Sequence, residues 1–125
     1  MQDLIVPASE STPAIEGNCS DGSLSIRGES YPENAFELYR PVIKWIEHCL
    51  ERVDRPFRLR LDLLYLNTSS VRAMMEILDL MEQAFRAGQN VAVEWRYEPE
   101  NERVVELAEE FREDYALPFA IVPKG

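Results

Sequence analysis

A chain of 125 residues suits one domain built on one modest hydrophobic core. With 23 acidic against 13 basic residues its formal net charge is -10, a balance that a nucleic-acid backbone or an anionic membrane surface repels. The first residues form no secretory signal and no apolar run reaches membrane-spanning length, so no membrane insertion is expected and a cytoplasmic, reducing setting is.

The first 30 residues are polar and punctuated by Pro7, Pro13, Gly17, Gly22 and Gly28. Two short segments, Ala14–Asn18 and 23–27, flank Ser20-Asp21-Gly22. Asp-Gly between short runs predicts a β-hairpin. Residues 33–53 carry Phe36, Tyr39, Val42, Ile43, Ile46, Cys49, Leu50 and Val53 at helical spacing. Pro41 interrupts this pattern because it cannot donate to the carbonyl four residues earlier. Either a separate turn covers 33–38 or the helix kinks near Pro41. Cys49 lies on the apolar stripe, where a buried free thiol is expected. Cys19 and Cys49 fall in no metal-binding or redox-motif spacing.

Phe57–Leu66 alternates. Phe57, Leu59, Leu61 and Leu63 share one face of a strand, and Arg58, Arg60 and Asp62 share the other. Its end, Leu63-Leu64-Tyr65-Leu66, is apolar on both faces, which predicts deeper burial there. Asn67-Thr68-Ser69-Ser70 comes next and leads into a helix over 70–87, with Val71, Met74, Met75, Leu78, Met81 and Phe85 in its main stripe. Ile77 and Leu80 widen that stripe, and Gly88 supplies the stop. Val91–Tyr97 alternates as a further strand. A third helix carries Val104, Leu107, Ala108 and Phe111 on one side, and 118–122 closes the chain as a short strand. The expected order is β-β-α-β-α-β-α-β. Alternating strands and helices imply parallel pairing after an antiparallel hairpin, with helices mainly on one sheet face.

Most catalytic chemistry lacks its residues. His48 is the single histidine and is expected to be a solvated helix residue. The five glycines form no phosphate-cradling loop. Glu98, Glu100, Glu102, Glu106, Glu109, Glu110, Glu113 and Asp114 lie mostly off the apolar stripe of the third helix, so they are expected to form a solvated face. Asp62 is expected to pair with Arg58, Arg60 or Arg96. An enzyme using the acidic helix with Tyr31 or Tyr115 would need buried carboxylates, because pKa tuning requires burial. No cofactor and no metal is expected.

The informative segment is Leu66-Asn67-Thr68-Ser69-Ser70. It joins a strand's carboxyl end, the usual functional edge of an α/β sheet, to a helix start that presents unpaired N–H groups and a partial positive charge. A phosphate on a hydroxyl there would find donors waiting and would add about -1.5 to -2 charges. Helix capping alone accounts for one or two of these polar residues.

At these residues the sequence resembles the STAS fold of anti-sigma factor antagonists, which carry a phosphorylatable Ser, usually after Asp, at the matching place. Here Asn67-Thr68 stands instead. Ser11-Thr12-Pro13-Ala14-Ile15, Ser30-Tyr31-Pro32-Glu33-Asn34, the run from Leu64 to Ser70, Asn101-Glu102-Arg103 and Ala108-Glu109-Glu110-Phe111 together resemble the SiaC-like family of bacterial biofilm-regulation phosphoproteins. This resemblance implies one STAS-like domain over 1–125 and a non-enzymatic partner-switching adaptor. It implies phosphorylation of Thr68 by a Ser/Thr protein kinase (SiaB-like) and dephosphorylation by a PP2C-type phosphatase (SiaA-like). The unphosphorylated form would bind and activate a diguanylate cyclase (SiaD-like), promoting cyclic-di-GMP synthesis and biofilm formation. Asn67, Ser69 and Ser70 would shape the turn and its partner-binding surface. The alternative is a conventional anti-sigma factor antagonist that binds an anti-sigma kinase.

Overall fold

A computed structural model describes residues 3–51 and 55–124. Its elements are β1 (Leu4–Val6), β2 (Ala14–Asn18), β3 (Ser23–Ser30), α1 (Ala35–Leu50), β4 (Phe57–Leu66), α2 (Thr68–Arg86), β5 (Val91–Tyr97), α3 (Glu102–Asp114) and β6 (Phe119–Pro123). The six strands form one sheet in chain order. The pairs β1–β2 and β2–β3 are antiparallel, whereas β3–β4, β4–β5 and β5–β6 are parallel.

That order decides where the helices go. Each parallel step crosses through one helix, and each step advances the sheet in the same direction. A right-handed crossover repeated in one direction lays every helix on the same face. The core forms there, with Leu24 and Ile26 of β3, Leu59, Leu61 and Leu63 of β4, and Val93 and Trp95 of β5 facing Val42 and Ile46 of α1, Met74, Ile77 and Leu78 of α2, and Ala108 and Phe111 of α3. The Trp95 and Phe111 rings stack with centroids 5.7 Å apart, fixing α3 to the sheet. The opposite face carries exposed Glu16, Arg27, Arg58 and Arg60. The mixed α/β sheet, the N-terminal hairpin and the one-sided helices agree with the sequence reading.

Two glycines are required by close approach. Gly22 closes the β2–β3 loop at φ +69, and a Cβ there would strike the Pro56 carbonyl at 2.0 Å. A Cβ on Gly17 would meet the Trp45 ring at 2.5 Å, so the bare backbone lets α1 pack onto β2.

Several expectations are corrected. The sheet gains β1, a three-residue edge strand whose Leu4 and Val6 pair opposite Gly17 and Ile15. Three residues are too few to establish a period. Of the two alternatives at Pro41, the separate turn over 33–38 is overturned, because one helix runs from Ala35 to Leu50 through Pro41. The proline lies within α1 on the exposed side, so the carbonyl it cannot serve is left to solvent. The expected end of that helix at Val53 lies outside the described residues. Cys19 and Cys49 are not free thiols: they form a disulfide with Cα atoms 5.7 Å apart, joining the end of β2 to the last turn of α1. The 30-residue separation gave no motif because the fold, not local spacing, brings the two together. Asp62 pairs with Lys124 rather than with an arginine. Arg60 is taken by Glu94 at 3.0 Å, and Lys124 is positioned by its N–H bond to the Tyr97 carbonyl at 2.8 Å.

The end of β4 differs most consequentially. The β3–β4 register runs Gly28–Leu63 and then Glu29–Tyr65, so Leu64 is an extra residue in β4. This bulge turns both Leu64 and Tyr65 outward and returns Leu66 to the core. Apolar residues at four successive positions therefore mark a change of facing rather than deeper burial. The Leu64 carbonyl accepts the Asn101 side-chain N–H at 3.1 Å.

Helix α2 is also rotated from its expected orientation. Met74, Ile77, Leu78 and Met81 are buried as expected, but Ala73 and Ala84 are buried as well, whereas Met75 is 41% exposed. The small Ala73 and Ala84 let α2 sit close to its neighbours, and the contact face shifts toward them, away from Met75.

Candidate functional site

The turn after β4 is tied down by Asn67. Its backbone N–H bonds the Ser30 carbonyl at 3.0 Å, continuing the β3–β4 pairing past the strand. Its side-chain N–H donates to the Pro32 carbonyl at 2.9 Å, and its Oδ1 accepts the Ser70 N–H at 2.9 Å. The bond to Ser70 is an N-cap, which satisfies one of the donors a helix start leaves unpaired. Asn67 thereby fixes the turn to the β3–α1 connection and begins α2.

The next three residues carry hydroxyls, and each is placed differently. Ser70 is fully buried, and its Oγ lies 2.8 Å from Ser30 Oγ, which lies 2.9 Å from Tyr39 Oη. This chain of hydroxyls pins β3, α1 and α2 together. Burial pushes the Tyr39 phenol up to about 12, against the lowering effect of its Ser30 hydrogen bond, so the chain stays neutral at physiological pH. Ser69 is half-buried, with Oγ 3.4 Å from the Pro32 carbonyl and 3.3 Å from Asn67 Oδ1. Thr68 is exposed, and its hydroxyl makes no hydrogen bond among the described residues. One turn thus separates a structural serine, an intermediate one and an unengaged threonine. Ser70 shapes the turn from within and presents no surface.

The charge around Thr68 is permissive. The first turn of α2 holds no acidic residue. Arg72 lies four residues along the same helix face, is exposed and joins no ion pair among the described residues. Other candidates stay apart. His48 and the carboxylates of α3 are exposed, as expected. Tyr115 donates to Asp79 at 2.8 Å, so it fastens α3 to α2. A concavity of about 400 Å³ lies on the open sheet face over Ser25, Arg58, Arg60 and Ala92 and does not include the turn. No group of His, Cys, Asp and Glu suited to a metal occurs among the described residues.

The sequence reading gave Tyr31 and Tyr65 no role at the turn. Tyr65 stands two residues before Asn67, and Tyr31 comes directly after Ser30, whose carbonyl holds Asn67. Their rings meet edge-on with centroids 6.1 Å apart, and both are exposed. Tyr65, two residues before the polar turn, was the one local signal; Tyr31 is brought to it only by the β3–β4 pairing.

These features define a regulatory type of α/β protein, with its distinctive chemistry in one hydroxyl-bearing turn at a strand's carboxyl end. The chain belongs to the SiaC family of regulatory phosphoproteins, whose family model matches residues 6–124. It is 56% identical over 121 residues to an uncharacterized protein of Pseudomonas aeruginosa strain UCBPP-PA14, covering 97% of this chain and 96% of that one. The crystal structure of apo-SiaC from Pseudomonas aeruginosa matches with a TM-score of 0.93 at 54% identity, over 98% of this chain and 99% of the other. A chain in the crystal structure of diguanylate cyclase SiaD in complex with its activator SiaC, also from Pseudomonas aeruginosa, matches with a TM-score of 0.94 at 55% identity, over 98% and 100%. No helix among the described residues is long and apolar enough to cross a membrane.

Proposed function

We propose that this chain is a phosphorylation-controlled adaptor that, with Thr68 unmodified, binds and activates a diguanylate cyclase and so promotes cyclic-di-GMP synthesis and biofilm formation. A Ser/Thr protein kinase phosphorylates Thr68 and a PP2C-type phosphatase restores it. The adaptor acts in the cytoplasm as one non-enzymatic domain over residues 1–125. In a reducing compartment the Cys19–Cys49 pair would be held as thiols.

The observation that carries the reading is the exposed, unengaged Thr68 hydroxyl beside a serine that is fully buried. A kinase can reach Thr68 without disturbing the fold. Support for the partner comes from the 55% identity to a chain of the complex between SiaD and its activator SiaC. A phosphate at the first helical position would bring about -1.5 to -2 charges to a helix start that accommodates anions, so the fold tolerates it. An apolar partner surface closing over the same spot would have to desolvate those charges, and association fails.

The test is direct. Protein treated with the kinase should carry phosphate on Thr68 by mass spectrometry, and purified phosphoprotein should lose cyclase stimulation while keeping its circular dichroism spectrum. Thr68→Val should resist phosphorylation and keep stimulating. Full stimulation by the Thr68 phosphoprotein would overturn the proposal.

A further inference from the structure

Among the described residues five large apolar side chains are exposed, and four of them, Tyr31, Leu64, Tyr65 and Met75, belong to the segments that meet at the switch turn. Tyr65 and Leu64 end β4 just before Asn67. Tyr31 leaves β3 beside the carbonyls that hold Asn67. Met75 lies two turns beyond Thr68 on α2, on the helix face that Thr68 and Arg72 share. The fifth, Ile5, sits on β1 at the far edge of the sheet. Exposed aromatic residues gathered at one place on a small acidic protein mark an interaction surface, because Tyr supplies large contact area at low cost in conformational freedom.

The patch is built rather than incidental. The Leu64 bulge is what turns Tyr65 outward; with an unbroken register the alternation would send Tyr65 into the core. The Asn101 side chain secures the bulge through the Leu64 carbonyl. Tyr31 is fixed at three points: its hydroxyl donates to the Glu10 carbonyl, its N–H bonds the Ser11 carbonyl at 2.9 Å, and its ring edge meets Tyr65. An aromatic pair held this way loses little freedom on binding.

We propose that Tyr31 and Tyr65, with Met75 across the turn, form the anchor on which the diguanylate cyclase docks. This rests on the adaptor reading above. The argument for that occupant is continuity with the switch. A phosphate on Thr68 excludes the cyclase only if the docked surface covers or borders Thr68, and these exposed side chains come from the strand end that leads into Thr68, from the segment that holds Asn67, and from the helix face that continues from Thr68. The matching surface on the cyclase is an apolar hollow with no cation to receive a phosphate, since a cation there would make phosphorylation strengthen the complex.

The experiment measures binding of the full-length chain to the purified cyclase, and stimulation of that cyclase, for Tyr65→Ala, Tyr31→Ala, Met75→Glu and Ile5→Ser, with thermal unfolding as the check on folding. Tyr65→Ala and Tyr31→Ala should each weaken binding at least tenfold. Met75→Glu, a surface helix change independent of the Tyr31 loop, should do the same. Tyr65→Phe should bind within about threefold of the original chain, because the ring carries the contact. Ile5→Ser should leave binding unchanged. Folded Tyr65→Ala and Met75→Glu variants that bind within twofold overturn the anchor and leave the adaptor reading standing. Failure of the unaltered chain to bind the cyclase overturns both.

Discussion

Asn67 and Asn101 perform the same task at the starts of α2 and α3. Each side-chain oxygen accepts the N–H three residues on, at 2.9 and 3.2 Å, and each side-chain N–H reaches a carbonyl from another part of the chain. The residues around the two caps differ. Behind Asn101 stands Glu102, with Glu100 before it and Glu106 one turn later, so the positive helix end is already answered by carboxylates. Behind Asn67 stands Thr68, with no acidic residue in the first turn and Arg72 one turn later. Capping physics makes both helix starts. Of the two, only the α2 start leaves a neutral hydroxyl where an added anion would be favourable, and that difference is what the proposed switch at Thr68 would use.

The largest expected effect tests the difference within the α2 turn itself. Ser70→Asp would place a carboxylate in a fully buried site against Ser30, whose hydroxyl is in turn engaged by Tyr39. It should cost about 3–5 kcal/mol in urea unfolding, the scale of an uncompensated buried charge. A cost below about 1 kcal/mol would mean the interior readily admits the charge, and the contrast between Ser70 and Thr68 would collapse. Next in size comes Asn67→Ala, which removes the cap and the tie to Pro32 together. It should cost about 2 kcal/mol, against about 1 kcal/mol for Asn34→Ala. Asn34 caps α1 with one exposed bond of 3.3 Å to the Glu37 N–H. Equal losses would show that the link to the β3–α1 connection contributes nothing beyond the cap.

The other end of α2 sharpens the comparison through pH. Burial pushes the Glu82 carboxyl up, but N–H bonds from Ala116 and Leu117 and the Arg86 guanidinium outweigh that and hold it below the usual carboxylate range. A carboxylate with a depressed folded-state pKa contributes its full stability at neutral pH and loses it as pH falls below the ordinary carboxylate value. Glu82→Gln should cost about 1–2 kcal/mol at pH 7 and should flatten the acid limb of the stability curve. The anchored end of α2 should therefore answer to acid, whereas the Thr68 end should not.

The range of each interaction decides how much of this could be read in the sequence. β4 and β5 have the bounds expected of them because alternation over seven to ten residues is a local signal. The Asn67 turn was legible for the same reason: cap residues act on N–H groups two or three positions away. The family resemblance, rather than local physics, singled out Thr68 among three neighbouring hydroxyls. The burial of Ser70 separates them physically, and it depends on Ser30 and Tyr39, both distant in the chain. Cys19 with Cys49 and Asp62 with Lys124 are likewise long-range meetings. The Leu64 bulge escaped because four apolar residues in a row look the same whether a strand is buried on both faces or shifts its register.

The smallest stability effect decides whether the α2 start is a switch in the strict sense. Thr68→Asp puts one negative charge at the first helical position without displacing any hydrogen bond. It should stabilise the fold by about 0.5 kcal/mol at low ionic strength, with the gain shrinking as salt screens the helix end. Glu102→Gln, the converse change at the start of α3, should lose a similar amount, about 0.5 kcal/mol. Both shifts are close to the resolution of unfolding measurements, so they are best read as opposite trends against ionic strength. If Thr68→Asp instead destabilised the chain by more than about 1 kcal/mol, a phosphate there would act by loosening α2, and loss of the partner would result from damage to the docking surface. If stability holds while cyclase binding is lost, the charge acts on the interface alone. The aromatic pair beside Thr68 would then be unchanged in the phosphorylated protein, ready to bind as soon as the phosphate is removed.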